Sequence, residues 1–209
     1  MRYPLVVFDF DGTLADSFGP ALATYNRIAP GLGLRSVVDP EAARSMPTRR
    51  LLRQLGIRFW RLPRVVRAFQ AAMAEHADGL RLHDGVAGML RDLAARGHRL
   101  GILSSNREDV IRACLRANDV EGHFAFVIGY PKLFGKARAL RRILKAERAD
   151  RDGLLFVGDE LRDLEAGRKA KVATVAVTWG FQSEPLLAAG GATYVARRPD
   201  EVLTLTDLS

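Results

Sequence analysis

The stretch LVVFDFDGTLADS, residues 5–17, decides the fold. It opens with a short run of apolar, strand-forming residues, which predicts a β-strand buried on both faces. Two aspartates, Asp9 and Asp11, end this run with only Phe10 between them. Like charges at this separation repel each other, and burial makes the repulsion stronger. A divalent cation together with a phosphoryl group would hold both carboxylates at the end of the strand.

The composition limits the class of protein. The chain has 209 residues, of which 48% are hydrophobic, enough for a substantial core in one domain with an insertion or in two small domains. A single cysteine rules out an intramolecular disulfide and favours a reducing, cytoplasmic compartment. No apolar run reaches the roughly 18 residues of a membrane span, so no membrane partner is expected. The first strand begins at Tyr3 or Pro4, which leaves no room for a signal peptide.

The formal net charge is +8, which could serve to bind nucleic acid or to attract anionic substrates. However, arginine and lysine occur throughout the chain, without one basic block and without interleaved aromatic residues. A bias towards arginine on helix surfaces therefore explains the charge better, and no nucleic-acid partner is expected.

Short apolar runs rich in β-branched and aromatic residues recur after the first strand. They predict further strands at residues 100–105, 124–129, 154–159 and 172–179, with a short candidate at 193–196. Segments with one-face apolar spacing lie between them and predict helices. Strands that alternate with helices indicate an α/β fold, in which a Rossmann-like parallel sheet carries helices on both faces.

One segment interrupts this alternation. No convincing strand lies between Asp16 and about His83, where Asp39 and Pro40 are typical of a helix start and two stretches look amphipathic. We therefore expect a small helical cap domain at residues 16–83, inserted after the first strand. The α/β core domain is expected at residues 1–15 and 84–209.

Polar residues follow the predicted strands. They are Asp9 and Asp11 after the first strand, Ser105 and Asn106 at the second, and Asp159 with Asp163 at the fourth. Ligands of open parallel sheets bind outside the carboxyl ends of the strands, so these groups should converge in one crevice. Mg²⁺ prefers one or two carboxylates together with waters and a substrate phosphate. The sequence thus predicts a site for Mg²⁺ and a phosphoryl group.

Four stretches together resemble a known family. DFDGTLADS, ILSSN, a lysine that opens a helix, and VGDELRDLEAGRKA are similar to the four motifs of the haloacid dehalogenase-like hydrolase superfamily, in the right order over essentially the whole chain. The helical insertion after the first motif resembles the cap of phosphoglycolate phosphatase-like members. The resemblance implies a Mg²⁺-dependent phosphatase that hydrolyses a small phosphomonoester, phosphoglycolate-like or another metabolite phosphate. A phosphomutase of the same superfamily and a non-catalytic binding module that retains the fold remain alternatives. The oligomeric state is left open.

The resemblance also implies roles for the first two motifs. Asp9 would be the nucleophile that forms an aspartyl-phosphate, and Asp11 the general acid and then the general base. Gly12 would let the backbone turn tightly beside the phosphate. Ser105 would donate its hydroxyl to a phosphoryl oxygen, and Asn106 would assist at the start of the next helix.

The resemblance further implies that a lysine and a bound metal ion supply positive charge at the site. The lysine is either Lys132 or Lys136, and Lys136 is preferred because it opens the helical pattern. The expected metal ligands are Asp9, Asp11, Asp159 and Asp163, where Asp163 would either bind the metal or orient the lysine. Glu160 and Arg162 are expected to be surface or cap contacts.

Substrate choice is expected to reside in the cap, because a lid over the crevice contacts the leaving group. Four arginines of the cap could meet an anionic leaving group, but as solvated helix residues they are not assigned to the site: Arg44, Arg49, Arg50 and Arg53.

Overall fold

A single parallel sheet forms the centre of the molecule in the computed structural model, which describes residues 2–74, 79–130 and 135–207. The sheet has six strands in the order β3-β2-β1-β4-β5-β6, and every neighbouring pair is parallel. The strands are β1 (Leu5–Phe8), β2 (Arg99–Ser104), β3 (Phe124–Gly129), β4 (Leu154–Gly158), β5 (Ala173–Val177) and β6 (Tyr194–Ala196). The predicted Rossmann-like α/β fold is thereby confirmed.

Strand β1 occupies a central position and is buried on both faces, as its apolar run predicts. Val6 and Phe8 belong to one hydrophobic cluster and Leu5 and Val7 to another, since alternate side chains of a strand point to opposite faces. The apolar run of β3 is less buried than that of β1, since Val127 is its one buried residue. Because β3 is an edge strand, its side chains lie at the margin of the helix layers and are covered less than those of the central strands.

Helices cover both faces of the sheet. The cluster around Val6 and Phe8 includes side chains of α5 (Val86–Ala95), α6 (Glu108–Ala117) and α10 (Pro199–Asp207). The opposite cluster includes side chains of α7 (Lys136–Ala146) and α8 (Leu161–Ala170). The short helix α9 (Glu184–Ala188) follows β5. Burial of the apolar stripes of these helices against the sheet holds the strand ends in fixed positions.

Among the described residues, four α-helices lie between β1 and the core helix α5, and we call them the cap helices. They are α1 (Phe18–Ile28), α2 (Pro40–Arg44), α3 (Thr48–Gln54) and α4 (Leu62–Ala74). Helix α2 begins as predicted, because the Asp39 side chain accepts a hydrogen bond from the Ala42 amide and Pro40 takes the first helical position. Residues 16–74 and 79–83 contain no strand. The division into core and cap domains at residues 16 and 83 stays a prediction.

Helix α2 and the link between α2 and α3 contact the loop that follows β5 through polar groups. The Arg44 side chain donates to the Gly180 carbonyl at 2.9 Å, and the buried Gln182 side chain donates to the Met46 carbonyl at 3.1 Å. These bonds position the cap helices above the end of the sheet where the polar residues lie. Within the described ranges, no helix combines the length and the apolar character that crossing a membrane requires.

Candidate active site

The segment after β1 places Asp9 in the interior. Its amide donates to the Val157 carbonyl of β4 at 2.8 Å, and its side chain is 1% exposed. Oδ1 of Asp9 accepts a hydrogen bond from the Phe10 amide at 2.7 Å, and Oδ2 lies 2.6 Å from Nζ of Lys136. Strand pairing and two charge-stabilising contacts therefore fix the orientation of this carboxylate.

Gly12 occupies a turn that no other residue fits. Its φ is +76°, and a Cβ atom there would lie 2.3 Å from Oδ2 of Asp159 and 2.4 Å from the Phe181 ring. Its amide donates to the Ser17 hydroxyl at 3.1 Å. The missing side chain thus lets the backbone pass directly beside Asp159.

Asp159, at the end of β4, is completely buried and accepts two hydrogen bonds. Thr13 Oγ1 donates to its Oδ1 and the Phe181 amide to its Oδ2, both at 2.7 Å. Burial first, and then the charges of Glu160 and Asp9, raise the pKa of Asp159 well above its usual value. Sequence reasoning missed the contact of Thr13, although this residue lies inside the first motif.

Lys136 enters the same cluster from the first residue of α7. Its Nζ lies 2.6 Å from Oδ2 of Asp9 and 2.7 Å from Oδ1 of Asp163, and its side chain is 3% exposed. Burial lowers the pKa of Lys136, but the carboxylates of Asp163 and Asp9 raise it more, so that the amine stays charged. The structure thus brings the preferred lysine to the aspartates. The alternative, Lys132, lies outside the described residues.

Asp163 is held by the start of α8. Its Oδ2 accepts a hydrogen bond from the Glu160 amide at 3.3 Å, one half of a capping box, while its Oδ1 receives the lysine. Burial raises its pKa to about 6, although the charge of Lys136 opposes this increase. The capping geometry explains why Asp163 points back towards the ends of β1 and β4.

Three of the predicted metal ligands come together. One carboxylate oxygen from each of Asp9, Asp159 and Asp163 lies within 4.8 Å of the others. Buried carboxylate oxygens are hard donors that a small divalent cation stabilises, and burial raises the pKa of Asp159 and of Asp163, so these residues fit a metal ion. The carboxylate of Asp11 is not one of the three.

Asp11, directly before the turn at Gly12, contacts the loop that follows β2. Its Oδ1 accepts a hydrogen bond from Nδ2 of Asn106 at 3.1 Å. Burial first, and then the charge of Asp9, raise the pKa of Asp11 to about 6. This carboxyl group can therefore carry a proton nearer to neutral pH than an ordinary aspartate can.

The loop after β2 brings two further predicted residues beside Asp11. Asn106 is buried, and Ser105 is half-buried at the wall of the adjoining cavity. The Ser105 carbonyl accepts a hydrogen bond from Gln70 of α4 at 2.8 Å. The Ser104 hydroxyl is fully buried and accepts a hydrogen bond from the Asn106 amide, whereas Ser105 lines the cavity.

Arg162 is expected to be a surface or cap contact, and the structure excludes only the surface position. Its side chain is only 12% exposed and pairs with Glu160, although a surface position was among the expected ones. Burial lowers its pKa, but the charges of Glu160 and Asp163 raise it above the usual value. Glu160 also accepts a hydrogen bond from the Thr48 hydroxyl of α3 at 3.0 Å, so it is a cap contact as expected. The sequence around Arg162 does not indicate the contact of its partner Glu160 with Thr48, because Thr48 comes from the distant helix α3.

A cavity of about 270 Å³ lies between the cap helices and the ends of the strands. Its polar lining consists of Asp11, Thr48, Gln70, Ser105, Asn106, Glu160 and Arg162, and the remaining lining is mostly apolar. None of the four cap arginines named above lines this cavity. Arg44 contacts the Gly180 carbonyl, and the other three are exposed.

Comparisons with known proteins agree with this geometry. A family model described as haloacid dehalogenase-like hydrolase matches residues 6–177. A phosphoglycolate phosphatase of Synechococcus elongatus is 34% identical over 200 residues, 95% of this chain and 94% of that protein. The tyrosine-protein kinase PtkA of Mycobacterium bovis is 28% identical over 85% of this chain and 62% of the kinase. The crystal structure of a predicted phosphatase from Clostridium acetobutylicum shares the fold with a TM-score of 0.85, at 21% identity and with 100% of both chains covered.

Proposed function

The chain belongs to the haloacid dehalogenase-like hydrolase family, and on that premise we propose that it is a Mg²⁺-dependent phosphatase of a small phosphomonoester. Its class, a phosphoric monoester hydrolase, agrees with the prediction from the sequence. The substrate is phosphoglycolate-like or another metabolite phosphate, and the reaction passes through an aspartyl-phosphate. The observation that carries the proposal is the buried cluster of Asp9, Asp159 and Asp163 around Lys136, with Asp11 beside it.

Carboxylates are the expected donors for the metal. Asp9, Asp159 and Asp163 would hold Mg²⁺, and the predicted contribution of Asp11 stays a prediction. When bound, the cation would neutralise charge on the phosphoryl oxygens and on the attacking carboxylate. The nucleophile, the general acid and base, and the groups that stabilise the transition states are side chains of the protein.

In the first step, a carboxylate oxygen of Asp9 attacks phosphorus. The bond between phosphorus and the ester oxygen breaks, and its electron pair stays on the leaving oxygen. Asp11 gives this oxygen a proton, so that a neutral alcohol departs and an acyl phosphate remains on Asp9. The raised pKa of Asp11, about 6, supports this role.

In the second step, Asp11 acts as the general base. It accepts a proton from a water molecule, whose oxygen attacks the phosphorus of the aspartyl-phosphate. The acyl–phosphate bond breaks, which releases inorganic phosphate and restores the carboxylate of Asp9. Asp11 ends this step protonated and ready for the next substrate.

Charge and hydrogen bonds would stabilise both transition states. Lys136, held between Asp9 and Asp163, supplies a positive charge where the phosphoryl oxygens pass. Asp163 orients this lysine through its Oδ1. Ser105 and Asn106 would donate hydrogen bonds to phosphoryl oxygens, and the turn at Gly12 keeps a side chain away from them.

Release of inorganic phosphate from a panel of metabolite phosphates, with and without Mg²⁺, tests this proposal. Acid quenching during turnover of a ³²P-labelled ester should trap protein-bound phosphate that hydroxylamine removes and that Asp9→Asn lacks. A phosphomutase would form an isomeric ester without inorganic phosphate, and a binding module would bind the esters without converting them. A cytoplasmic location stays a prediction from the single cysteine.

A further inference from the structure

The cavity beside Asp11 has an unusually apolar wall for a site that receives a phosphate ester. Side chains from α1, α3 and α4 point into it while remaining only half-buried: Leu22, Tyr25, Leu51, Leu52, Val66 and Phe69. Apolar side chains that remain partly exposed to a cavity are available to bury a further apolar group.

The position of the proposed acid links this cavity to the reaction. Asp11, Ser105 and Asn106, which follow β1 and β2, line this cavity, while Asp9 and its partner Lys136 are not among the lining residues. Because Asp11 protonates the ester oxygen, that oxygen must lie beside Asp11 during the first step. The rest of the leaving group then extends away from Asp9, into the space under the cap helices.

The charges at the wall disfavour an anionic leaving group. Among the described residues that line the cavity, Arg162 is the single cationic side chain, and it is paired with Glu160. Glu160 and Asp11 are both acids. A carboxylate of the substrate would therefore lose its hydration beside two acids and one cation that already has a partner, and burial of a charge without a partner is costly.

We propose that the substrate is a phosphate monoester of an apolar alcohol, and that its carbon chain occupies the cavity under the cap helices. This inference rests on the proposed phosphatase function and selects the leaving group within it. Each methylene removed from water into the cavity should raise kcat/KM about fourfold until the cavity is filled. A short ester that carries a carboxylate should gain nothing from this wall.

A series of n-alkyl phosphates from ethyl to octyl tests the inference. The alcohols have nearly equal acidity, so intrinsic reactivity is constant and only the buried apolar surface changes. We expect kcat/KM to rise on the order of a hundredfold between ethyl and hexyl phosphate and then to level off. Phosphoglycolate, which has two carbons like ethyl phosphate but adds a carboxylate, should be a poorer substrate than hexyl phosphate. A flat series, or phosphoglycolate above hexyl phosphate, would overturn the inference.

A variant that fills part of the cavity tests whether the dependence of kcat/KM on chain length arises there. Leu51→Trp should move the levelling-off of the series to shorter chains, because indole fills part of the space. Arg53→Trp adds the same side chain to the exposed face of the same helix and should keep the wild-type series. Thermal unfolding shows whether each variant is folded, and Val66→Phe replaces Leu51→Trp if the latter is not. Unchanged levelling-off in a folded cavity variant would also overturn the inference.

The outcomes separate this inference from the function on which it rests. If no ester in the series or the metabolite panel releases phosphate and no protein-bound phosphate can be trapped, the phosphatase proposal fails and the inference fails with it. If phosphate is released but chain length has no influence, the phosphatase proposal stands and only the apolar leaving group is excluded.

Discussion

The ammonium group of Lys136 lies 2.6 Å from Oδ2 of Asp9 and joins it to the carboxylate of Asp163 at 2.7 Å. All three side chains are buried, so water does not screen these contacts. The pairing of Lys136 with Asp9 connects the first turn of α7 to the end of the central strand. Lys136 supplies part of the positive charge that holds the carboxylates of Asp9 and Asp11 at the end of the strand.

Lys136→Ala should therefore weaken catalysis. We expect a cost of about 2–4 kcal/mol in transition-state stabilisation, comparable with the loss of one preorganised donor. The loss should appear in kcat more than in KM, since the charge matters most while the phosphoryl group transfers. Steady-state kinetics on the best substrate measures it, with Lys145→Ala, at an exposed position of the same helix, as the control. If Lys132→Ala is the crippled variant while Lys136→Ala is near wild type, the motif lysine has been assigned four positions too late.

Asp9→Asn should abolish turnover and leave the fold intact. The substitution removes the attacking carboxylate and one metal donor but changes little volume in the fully packed site. Phosphate release measures the loss of turnover, and far-ultraviolet circular dichroism checks that the fold is intact. Asp16→Asn, at the exposed aspartate seven positions later, is the matched control. Residual activity above about a few per cent of wild type would rule out the covalent mechanism.

Asp11→Asn should affect the two steps differently. Departure of p-nitrophenolate needs no proton, so the first step should continue with p-nitrophenyl phosphate, while hydrolysis of the aspartyl-phosphate loses its base. Rapid-quench kinetics should show a burst of nitrophenolate, close to one equivalent of enzyme, followed by a slow rate. An equal loss on good and poor leaving groups, with no burst, would remove Asp11 from the acid and base roles.

Removal of the metal should stop hydrolysis. We expect EDTA to abolish phosphate release and Mg²⁺ to restore it, because Lys136 alone cannot balance the three buried carboxylates of the cluster, and the excess negative charge repels the phosphate ester. Ca²⁺ should inhibit, since it prefers more ligands and a looser geometry than Mg²⁺. Full activity in EDTA would mean that this carboxylate cluster is not a metal site.

Gly12→Ala should impair both stability and activity beyond the ordinary cost of a positive φ. The new methyl group would overlap the Asp159 carboxylate and the Phe181 ring, and it would displace one of the proposed metal donors. Gly56→Ala is the matched control, because Gly56 has a similar φ of +81° and open space around its Cβ position. We expect the control to lose roughly 1 kcal/mol in the free energy of unfolding and to keep its activity. Equal losses in the two variants would show that the close approach at Gly12 is unimportant.

The sequence by itself determined the parallel sheet and the edge at which the polar residues meet. Apolar runs that end at Asp9, Ser105 and Asp159 specify strands whose carboxyl ends share one edge, because all crossovers between parallel strands bring the chain back in the same direction. The helix starts at Asp39 and Lys136 were also readable, since caps and apolar spacing are local properties of the chain. The four family motifs, which occur in the expected order along the chain, supported this assignment.

Only the tertiary structure decided which groups meet across the crevice. It placed β3 at the exposed edge, buried Arg162 against Glu160, and set Thr13 on Asp159. The edge position of β3 and the contact between Thr13 and Asp159 depend on how segments distant in the chain pack together, and the burial of Arg162 depends on what surrounds it. Local patterns do not contain that information. The apolar wall beside Asp11 also results from tertiary packing. Its residues read as ordinary helix cores in the sequence, and only the packing of short cap helices over the sheet leaves a cavity between them.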